Sequence, residues 1–364
     1  MNQREIAKLA GVSTATVSRV VNGDVSVAKT TKEHVLKIID QYSYVQNINA
    51  RNLRASRSKA LGFLISNFSN PFFIEVYKGL EPVCRKKGYS IIIGNTNESV
   101  EQEKEAIDLF LRYRVDGMIA SFVEPKEDTL RKLRNFNMTI IQLDRTLKNL
   151  DSDVIVIDNI TGSIEQVETL ARLGHERIAV IKGTSFDSNG VERLSGFMEG
   201  MKKCGLAVRR EYVVSGDFLE ENAYNAAIEL MHLPTPPTAI ICHNNLMCIG
   251  AYKALMDMRI EIPRDVSLIG FDDFELSEHL QPSLTLIDRP IKEMGEMAGK
   301  MIIDRIEGEY EGEPRRIVFP VKLRFGGSCA KKFRVSLNLS LTKCAVLLYC
   351  LRASTSIFLI MGSR

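Results

Sequence analysis

Residues 4–21 read REIAKLAGVSTATVSRVV, and this stretch predicts two short helices joined by a tight turn. Ile6, Leu9 and Ala10 are apolar at helical spacing, so the first segment is expected to be an amphipathic helix. Gly11 follows it and can adopt a positive φ, which lets the chain turn sharply. The order of these signals favours a helix-turn-helix unit.

The same kinds of signal predict a second and a third helix. Ser13 has the side chain of a helix N-cap, and Val17, Val20 and Val21 give the second helix one apolar stripe. Thr31 is the expected N-cap of the third helix, which would buttress the other two. The N-terminal part of the chain is thus predicted to be a compact three-helix head.

A head of this shape suits DNA, because the major groove admits one α-helix and residues at its N-terminal end reach the base edges. Thr14 and Ala15 lie at that end of the second helix. Ser13 and Thr16, with the backbone N–H groups there, can hold phosphates. Arg19 is long enough to reach a base edge or a phosphate. From spacing alone, a generic three-helix bundle with surface threonine and arginine remains the alternative.

The charge distribution points the same way. The 364-residue chain has 48 basic and 45 acidic residues, but residues 1–59 carry ten basic and four acidic ones. Residues 60–332 carry 34 basic and 41 acidic residues. A basic head on an acidic body suggests that the head meets a polyanion, although chance clustering of solvated charge is the alternative.

The head resembles that of the LacI/GalR family of bacterial transcription repressors. Two runs carry the resemblance: REIAKLAGVSTATVSRVVNG (residues 4–23) and TKEHVLKIIDQYSYVQNINARNLRASRS (residues 31–58). The resemblance implies that Thr14 and Ala15 contact bases. It implies that Ser18, Arg19 and Asn22 are further DNA contacts.

The resemblance also implies a hinge helix and linker over residues 47–59, which in family members becomes helical only on DNA. Ala50 and Leu53, at positions i and i+3, would share one face. Leu53 would be the apolar wedge that enters a base step from the minor groove and kinks the duplex. Arg54 would lie near phosphates. A solvated linker is the alternative.

The body is predicted to be α/β, because apolar strand-like runs alternate with amphipathic helical segments from Ala60 onward. Two such sets predict two doubly wound parallel-sheet lobes of periplasmic-binding-protein type. The resemblance adds that the chain crosses between lobes three times. The expected division is a helix-turn-helix domain 1–46; a hinge 47–59; an effector-binding domain 60–332, with one lobe of about 60–157 plus 290–318 and the other of about 159–287 plus 320–332; and an atypical tail 333–364.

Polar and aromatic side chains follow several predicted strands, where open α/β sheets bind ligands. A free sugar offers hydroxyls that charged side chains can hydrogen-bond and an apolar C–H face on which a ring can stack. The resemblance implies that these positions contact the effector. The motifs N-P-F-F (residues 70–73) and D-R (residues 144–145) look most like those of proteins that bind ribose and related aldoses. The candidate effector residues are Asn70, Phe72, Phe73, Asp144, Arg145, Arg193, Asn244 and Asp272. Structural ion pairs, and core packing for Phe73, are the alternatives.

No general base, metal cluster or activated nucleophile stands among these residues, so we expect neither an enzyme nor a cofactor. The N-terminus lacks the apolar core of a signal peptide, and seven cysteines form no C-x-x-C pair, which predicts a cytoplasmic protein with reduced thiols. In residues 333–364, Lys343 and Arg352 interrupt any run long enough to span a bilayer. A rough 4-3 spacing there would allow a tetramerising helix, but the charged flanking positions of a coiled coil are missing.

The sequence thus predicts a homodimeric repressor that binds a double-stranded, near-palindromic DNA operator and responds to a small sugar, ribose or a related aldose being favoured. Whether the sugar releases the protein from DNA or tightens its binding stays open. Three other interpretations remain: a global catabolite regulator with a phosphoprotein corepressor, a transport-associated sugar-binding protein, and an enzyme of sugar metabolism.

Overall fold

The computed structural model describes residues 1–21, 24, 26–43 and 57–332. The chain forms two compact units, of which the first comprises Met1–Val156 with Ile291–Val318. The second comprises Ile157–Pro290 and the described residues from Phe319 onward. The chain therefore passes from one unit to the other three times.

The head contains three helices in the described residues, α1 (Gln3–Leu9), α2 (Thr14–Val21) and α3 (Lys29–Gln41). Their apolar faces form a single buried cluster that includes Ile6, Ala10, Val17, Val20, Val35 and Ile38. A small core of this kind holds α2 with its opposite face free to meet a partner.

The turn and cap between α1 and α2 are confirmed. Gly11 has a φ of +61°, a region that residues with a Cβ rarely adopt. The side chain of Ser13 accepts a hydrogen bond from the backbone N–H of Thr16 at 3.1 Å. Only a short two-residue link separates Gly11 from α2, so turn and cap together fix where that helix begins.

Two predictions about the head are wrong. Thr31 does not cap α3, because the helix begins at Lys29 and Ala28 takes the N-cap position without a side-chain hydrogen bond. A favourable cap residue lowers the energy of a helix start without dictating it, and here α3 begins three residues before the start that a Thr31 cap would give, with Lys29 and Thr30 both exposed. Leu9 was expected to be on the buried stripe, but it is 46% exposed, because Ala10 turns inward at the end of α1 instead.

The first unit contains a six-stranded sheet in the order β11-β5-β4-β3-β1-β2. The neighbours from β2 to β5 are parallel to one another. Its strands are β1 (Ala60–Ile65), β2 (Ser90–Asn95), β3 (Gly117–Ala120), β4 (Thr139–Leu143), β5 (Asp153–Ile157) and β11 (Arg316–Phe319). Its helices are α4 (Pro71–Lys86), α5 (Val100–Tyr113), α6 (Glu127–Asn135) and α11 (Ile291–Glu307).

Helices α4 and α11 approach closely at two glycines. A Cβ on Gly79 would lie 2.0 Å from the carbonyl oxygen of Lys292, and one on Gly295 would lie 2.1 Å from that of Val76. Both positions therefore need glycine, because a larger residue would push the helix backbones apart. The chain re-enters the first unit at Ile291, and this contact packs its helix α11 against α4.

The second unit contains a second six-stranded sheet, in the order β12-β10-β9-β8-β6-β7. Its strands are β6 (Ile178–Lys182), β7 (Val213–Ser215), β8 (Ala239–Cys242), β9 (Ser267–Phe271), β10 (Thr285–Asp288) and β12 (Lys322–Arg324). Its helices are α7 (Asn159–Arg172), α8 (Ser188–Lys203), α9 (Glu220–Met231) and α10 (Asn245–Asp257), with a 3₁₀ turn at Arg210–Tyr212.

This sheet confirms the predicted doubly wound lobe with one difference. Along β8, Ile240 and Cys242 pack against one buried cluster, whereas Ala239 and Ile241 pack against another, so both faces are covered. The edge strand β12 runs antiparallel to β10, where the sequence predicts parallel strands throughout. A short returning strand can pair antiparallel at an edge without a crossover helix, which removes the need for a parallel connection. Within the described ranges, no helix has the length and apolar character needed to cross a membrane.

Candidate functional site

The exposed side of α2 carries the residues expected to meet DNA. Thr14, Ala15 and Arg19 are exposed, and Thr16 and Ser18 are half-buried. The opposite side of the helix, with Val17 and Val20, is buried in the head's core. Periodicity thus leaves the N-terminal end of α2 available to a base edge, as the sequence predicts.

The start of α2 is held by hydroxyls. The Ser13 and Thr16 hydroxyls lie 2.9 Å apart, and Gln3 at the start of α1 donates from its amide to the Thr14 carbonyl at 3.1 Å. Glu5 and Asn2 form a reciprocal capping box that begins α1. Sequence reasoning missed this box, although the N-x-x-E spacing was a usable signal.

Arg19 lies near a carboxylate beyond the end of α2. The backbone N–H of Asp24 donates to the Arg19 carbonyl at 3.0 Å. The backbone N–H of Ser26 donates to the Asp24 carboxylate at 2.9 Å and holds the pKa of Asp24 below its ordinary value, with a smaller contribution from the charge of Arg19. The segment after α2 is therefore tied back to the helix that would enter the groove.

In the first unit, Asn70 begins α4. Its side chain accepts from the backbone N–H of Phe72 at 3.0 Å, which is an N-cap interaction. Phe72 and Phe73 are both buried, with ring centroids 4.9 Å apart. Phe73 also meets Phe63 of β1 edge-to-face at 6.4 Å, so part of its surface serves the core.

Asp144 and Arg145 follow β4 and are both buried. Asp144 has a φ of +71°, a strained conformation for a residue with a side chain, of the kind found at functional sites. Arg145 forms a bidentate ion pair with Glu98, at 2.7 and 2.8 Å. Sequence reasoning missed Glu98, which follows β2 and is 47 residues from its partner.

Glu103 of α5 is a second carboxylate that the sequence did not single out. It is fully buried, and its Oε2 accepts from the backbone N–H of Val123 at 2.5 Å, while Oε1 has no hydrogen-bond partner in the described residues. Burial raises the pKa of Glu103 to about 7, against the opposing effect of backbone N–H donors and of Arg145. This carboxyl group therefore titrates near neutral pH.

In the second unit, Arg193 of α8 is the centre of a buried polar cluster. Its Nε donates to the Asn159 side chain at 2.8 Å, and its Nη1 donates to the carbonyl of His243. Nη1 also lies 3.5 Å from an oxygen of Asp272. These partners come from three separate parts of the chain: the start of α7, the residue after β8 and the residue after β9.

Asp272 follows β9 and is shared by two arginines. Its other carboxylate oxygen lies 2.7 Å from Nε of Arg289, and both side chains are buried. Asp272 has a φ of +68°, as strained as Asp144 in the first unit. Sequence reasoning missed Arg289, although its position directly after β10 was a signal of the same kind as that used for Asp272.

Two asparagines, Asn244 and Asn159, belong to the same region of the second unit. Asn244 caps α10 by accepting from the backbone N–H of Met247 at 2.8 Å. Asn159 begins α7 and donates to Asn189 at 3.1 Å and to Glu192 at 2.8 Å. Sequence reasoning did not single out Asn159 or Glu192.

The candidate effector residues therefore fall into two described groups. In the second unit Arg193 and Asp272 are in contact, and Asn244 follows directly on His243, whose carbonyl accepts from Arg193. In the first unit Asp144 and Arg145 are adjacent in the chain, and the other three lie at the start of α4. Four expected DNA contacts, Asn22, Ala50, Leu53 and Arg54, lie outside the described residues, as does the tail 333–364. Among the described side chains, no group of three or more His, Cys, Asp or Glu is placed to hold a metal ion.

Comparison with known proteins gives two family matches. Residues 3–47 match the family described as bacterial regulatory proteins, lacI family. Residues 58–326 match the family described as periplasmic binding proteins and sugar binding domain of LacI family. The two matches correspond to the head and to the two-sheet body.

Individual relatives agree with these matches. The chain is 31% identical over 316 residues to the HTH-type transcriptional repressor CytR of Escherichia coli (strain K12), covering 86% of this chain and 92% of that protein. It is similar to a solved complex of the transcriptional regulator CelR with cellobiose, with a TM-score of 0.68 and 28% identity. The match covers 90% of this chain and 99% of that chain. It is also similar to the crystal structure of a putative ribose operon repressor from Burkholderia thailandensis, with a TM-score of 0.67 and 31% identity. The match covers 74% of this chain and 99% of that chain.

Proposed function

The chain belongs to the LacI family of bacterial regulatory proteins, and from this we propose an allosteric transcriptional repressor with an aldose as its effector. The repressor assignment rests on a helix-turn-helix head joined to a sugar-binding type of body in one chain. The relatives with which it aligns over most of its length are themselves named as repressors or regulators. Regulation rather than catalysis is the proposed role.

The single observation that carries the effector assignment is the buried cluster around Arg193 and Asp272. Charged groups that are already paired with one another can each still offer a hydrogen bond to a hydroxyl, since a carboxylate has about four lone-pair directions and a guanidinium five N–H donors. A neutral sugar supplies several hydroxyls that can take up these remaining donor and acceptor positions. Ribose is favoured among aldoses by the likeness to the putative ribose operon repressor.

The proposed effector contacts are the sequence-predicted residues of each unit. In the first unit these are Asn70, Phe72, Phe73, Asp144 and Arg145, and in the second Arg193, Asn244 and Asp272. In the first unit Phe72 would supply the ring surface for the sugar's C–H face, while Phe73 is partly committed to the core. The bidentate pairing of Arg145 with Glu98 leaves the guanidinium fixed in one orientation, which suits recognition of a defined hydroxyl.

The proposed DNA contacts are on α2 and beyond it. Thr14 and Ala15 would read bases, Ser13, Thr16 and Ser18 would position the helix, and Arg19 would reach a base or phosphate. Residues 1–46 would form the DNA-binding domain and 47–59 the hinge, with Asn22, Ala50, Leu53 and Arg54 adding contacts. A homodimer would place two heads on a near-palindromic operator, because two-fold symmetry requires two half-sites.

Control of DNA binding would follow from linkage. An effector that binds one conformation of the body more tightly than another shifts the population between states that do and do not bind the operator. The sign of the effect is set by which state the effector prefers, so the same contacts serve an inducer or a corepressor.

The experiment that tests this function has two steps. Selection from a random duplex library with the full chain would yield an operator, whose affinity is then measured by fluorescence anisotropy across titrations of D-ribose, D-xylose, D-glucose and cellobiose. We expect one aldose to change operator affinity by about 10-fold or more, within the usual range of allosteric coupling. If the protein selects no sequence, the repressor assignment is wrong. If it binds an operator whose affinity no sugar changes, the effector class is wrong.

A further inference from the structure

His243 is a buried polar residue that the site as described so far leaves without a role. It lies between the end of β8 and the start of α10, directly before Asn244. Its side chain is 0% exposed, and neither Nδ1 nor Nε2 has a hydrogen-bond partner in the described residues. A buried imidazole normally satisfies both ring nitrogens, so this one is exceptional.

The surroundings of His243 explain its protonation. Burial, together with the smaller effect of the nearby positive charges of Arg193 and Lys182, lowers the pKa of His243 to about 3. The ring is therefore neutral at physiological pH, with one nitrogen that donates and one that accepts. Its backbone carbonyl accepts from Arg193, which ties the backbone at this position to the buried polar cluster.

Packing alone does not account for an imidazole at this position. His243 directly follows β8, whose residues Ala239 to Cys242 are all packed in apolar clusters. Leucine would fill a comparable volume there without leaving a buried donor and acceptor unmatched. The polar ring therefore costs stability in the free protein and requires a compensating partner.

We propose that His243 is a further effector-recognition residue, whose imidazole exchanges hydrogen bonds with a hydroxyl group of the effector. The proposal rests on the function proposed above and narrows its ligand class. A hydroxyl can either accept from the protonated ring nitrogen or donate to the unprotonated one, whereas a carboxylate or phosphate only accepts and an ammonium group only donates. An ammonium group is also disfavoured by Arg193 and Lys182. The position directly after β8 is at the carboxyl edge of the sheet, where ligands of open α/β sheets bind.

The first arm of the test uses the free protein. His243→Leu removes the unmatched nitrogens and keeps the volume, so we expect a melting temperature equal to or above that of the wild-type protein. His279→Leu, at an exposed histidine of the same unit, is the matched control. A melting temperature several degrees below wild type for His243→Leu, with the control unchanged, would show that the ring stabilises the fold and would overturn the proposal.

The second arm uses calorimetric titration with D-ribose and its 2-deoxy and 3-deoxy analogues. We expect His243→Leu to bind D-ribose about 10-fold more weakly or worse, with His243→Gln less affected because its amide retains a donor and an acceptor. For one deoxy analogue, the losses from removing the hydroxyl and from removing the imidazole should not add, since they delete the same hydrogen bond. Unchanged ribose affinity, or fully additive losses for every analogue, would overturn the assignment.

The two arms separate this proposal from the proposed function. If the wild-type protein binds no aldose, the aldose effector is wrong, and the melting temperature of His243→Leu still decides whether the imidazole is unmatched in the free protein. If the wild-type protein binds D-ribose and His243→Leu binds it equally well, the function stands and the role of His243 does not.

Discussion

The guanidinium of Arg193 stacks on the ring of Phe271, with its central carbon 3.8 Å from the ring centroid. Stacking fixes the plane of the guanidinium and offers a cation–π interaction in a site from which water is excluded. In that plane, the N–H groups of Arg193 reach Asn159 and the carbonyl of His243, and Nη1 lies 3.5 Å from Asp272. Phe271 is the last residue of β9, so the strand that directly precedes Asp272 also supplies the ring that orients Arg193.

We expect Asp272→Asn to give a repressor that binds operator but has lost most of its effector response. The asparagine keeps the shape but loses the charge that pairs with Arg193 and Arg289. A hydrogen bond to a charged group contributes about 1.5–3 kcal/mol, so effector affinity should fall roughly 10- to 100-fold. Operator affinity across a sugar titration measures the response, and Glu275→Gln, at an exposed neighbour, is the control. An unchanged response in Asp272→Asn would place the effector elsewhere.

We expect Arg19→Ala to weaken operator binding about 10-fold without changing sugar affinity. Arg19 is exposed on α2 in the head, whereas the effector residues lie in the body. If Arg19 meets a phosphate, the slope of log affinity against log salt should also fall by about one. Lys37→Ala removes an exposed charge from α3 as a charge-matched comparison. Loss of sugar affinity in Arg19→Ala would contradict this division of labour between head and body.

Substitutions at Thr14 and Ala15 should change which operator is preferred. These exposed residues lie at the end of α2 where base edges are read, and base contacts carry sequence information that phosphate contacts lack. Each variant would be put through the same duplex selection as the wild-type protein. A uniform loss of affinity for all sequences would mean that the two residues position the helix without reading bases.

Glu103→Gln should stabilise the protein more at pH 8 than at pH 5. Burial raises the pKa of Glu103 from 4.5 to about 7, so between these values the folded state holds a proton that the unfolded chain releases. Stability therefore falls as pH rises through this window, by about 3 kcal/mol at most. Melting temperatures at the two pH values measure the effect, with the exposed Glu105→Gln as control. If Glu103→Gln changes the melting temperature by the same amount at both pH values, the raised pKa of Glu103 is contradicted.

His175 should make the fold sensitive to acid. Its ring nitrogens lie 3.0 Å from the Thr238 hydroxyl and 3.0 Å from the Ala330 carbonyl, and burial lowers its pKa below the ordinary 6.5. The unfolded chain therefore takes up a proton first as pH falls below about 6.5, which lowers the stability of the folded state. We expect His175→Gln to lose less stability between pH 7.5 and pH 5 than the wild-type protein, as followed by urea midpoints. The same loss in both proteins would assign the acid sensitivity to other groups.

Local signals in the sequence were sufficient to predict most helices and strands of the protein. The turn at Gly11, the cap at Ser13 and the buried face of Val17 and Val20 follow from conformational preference and helical periodicity within a few residues. The same holds for Asp144 and Asp272, which directly follow β4 and β9 and whose positions at a sheet edge follow from the order of strands and helices. Thr31 shows the limit of such signals, since a cap residue is only a weak preference and α3 begins at Lys29 without a side-chain cap.

The sequence by itself therefore determined the elements of this protein, and only the tertiary structure decided the partners. Arg145 pairs with Glu98 from 47 residues away, and Arg193 binds Asn159 from 34 residues away. Arg289 shares Asp272 with Arg193, although no short-range pattern links them. Hydrophobic periodicity reflects which face of an element is buried, but a long charged side chain selects its partner by distance and orientation across elements that only folding brings together.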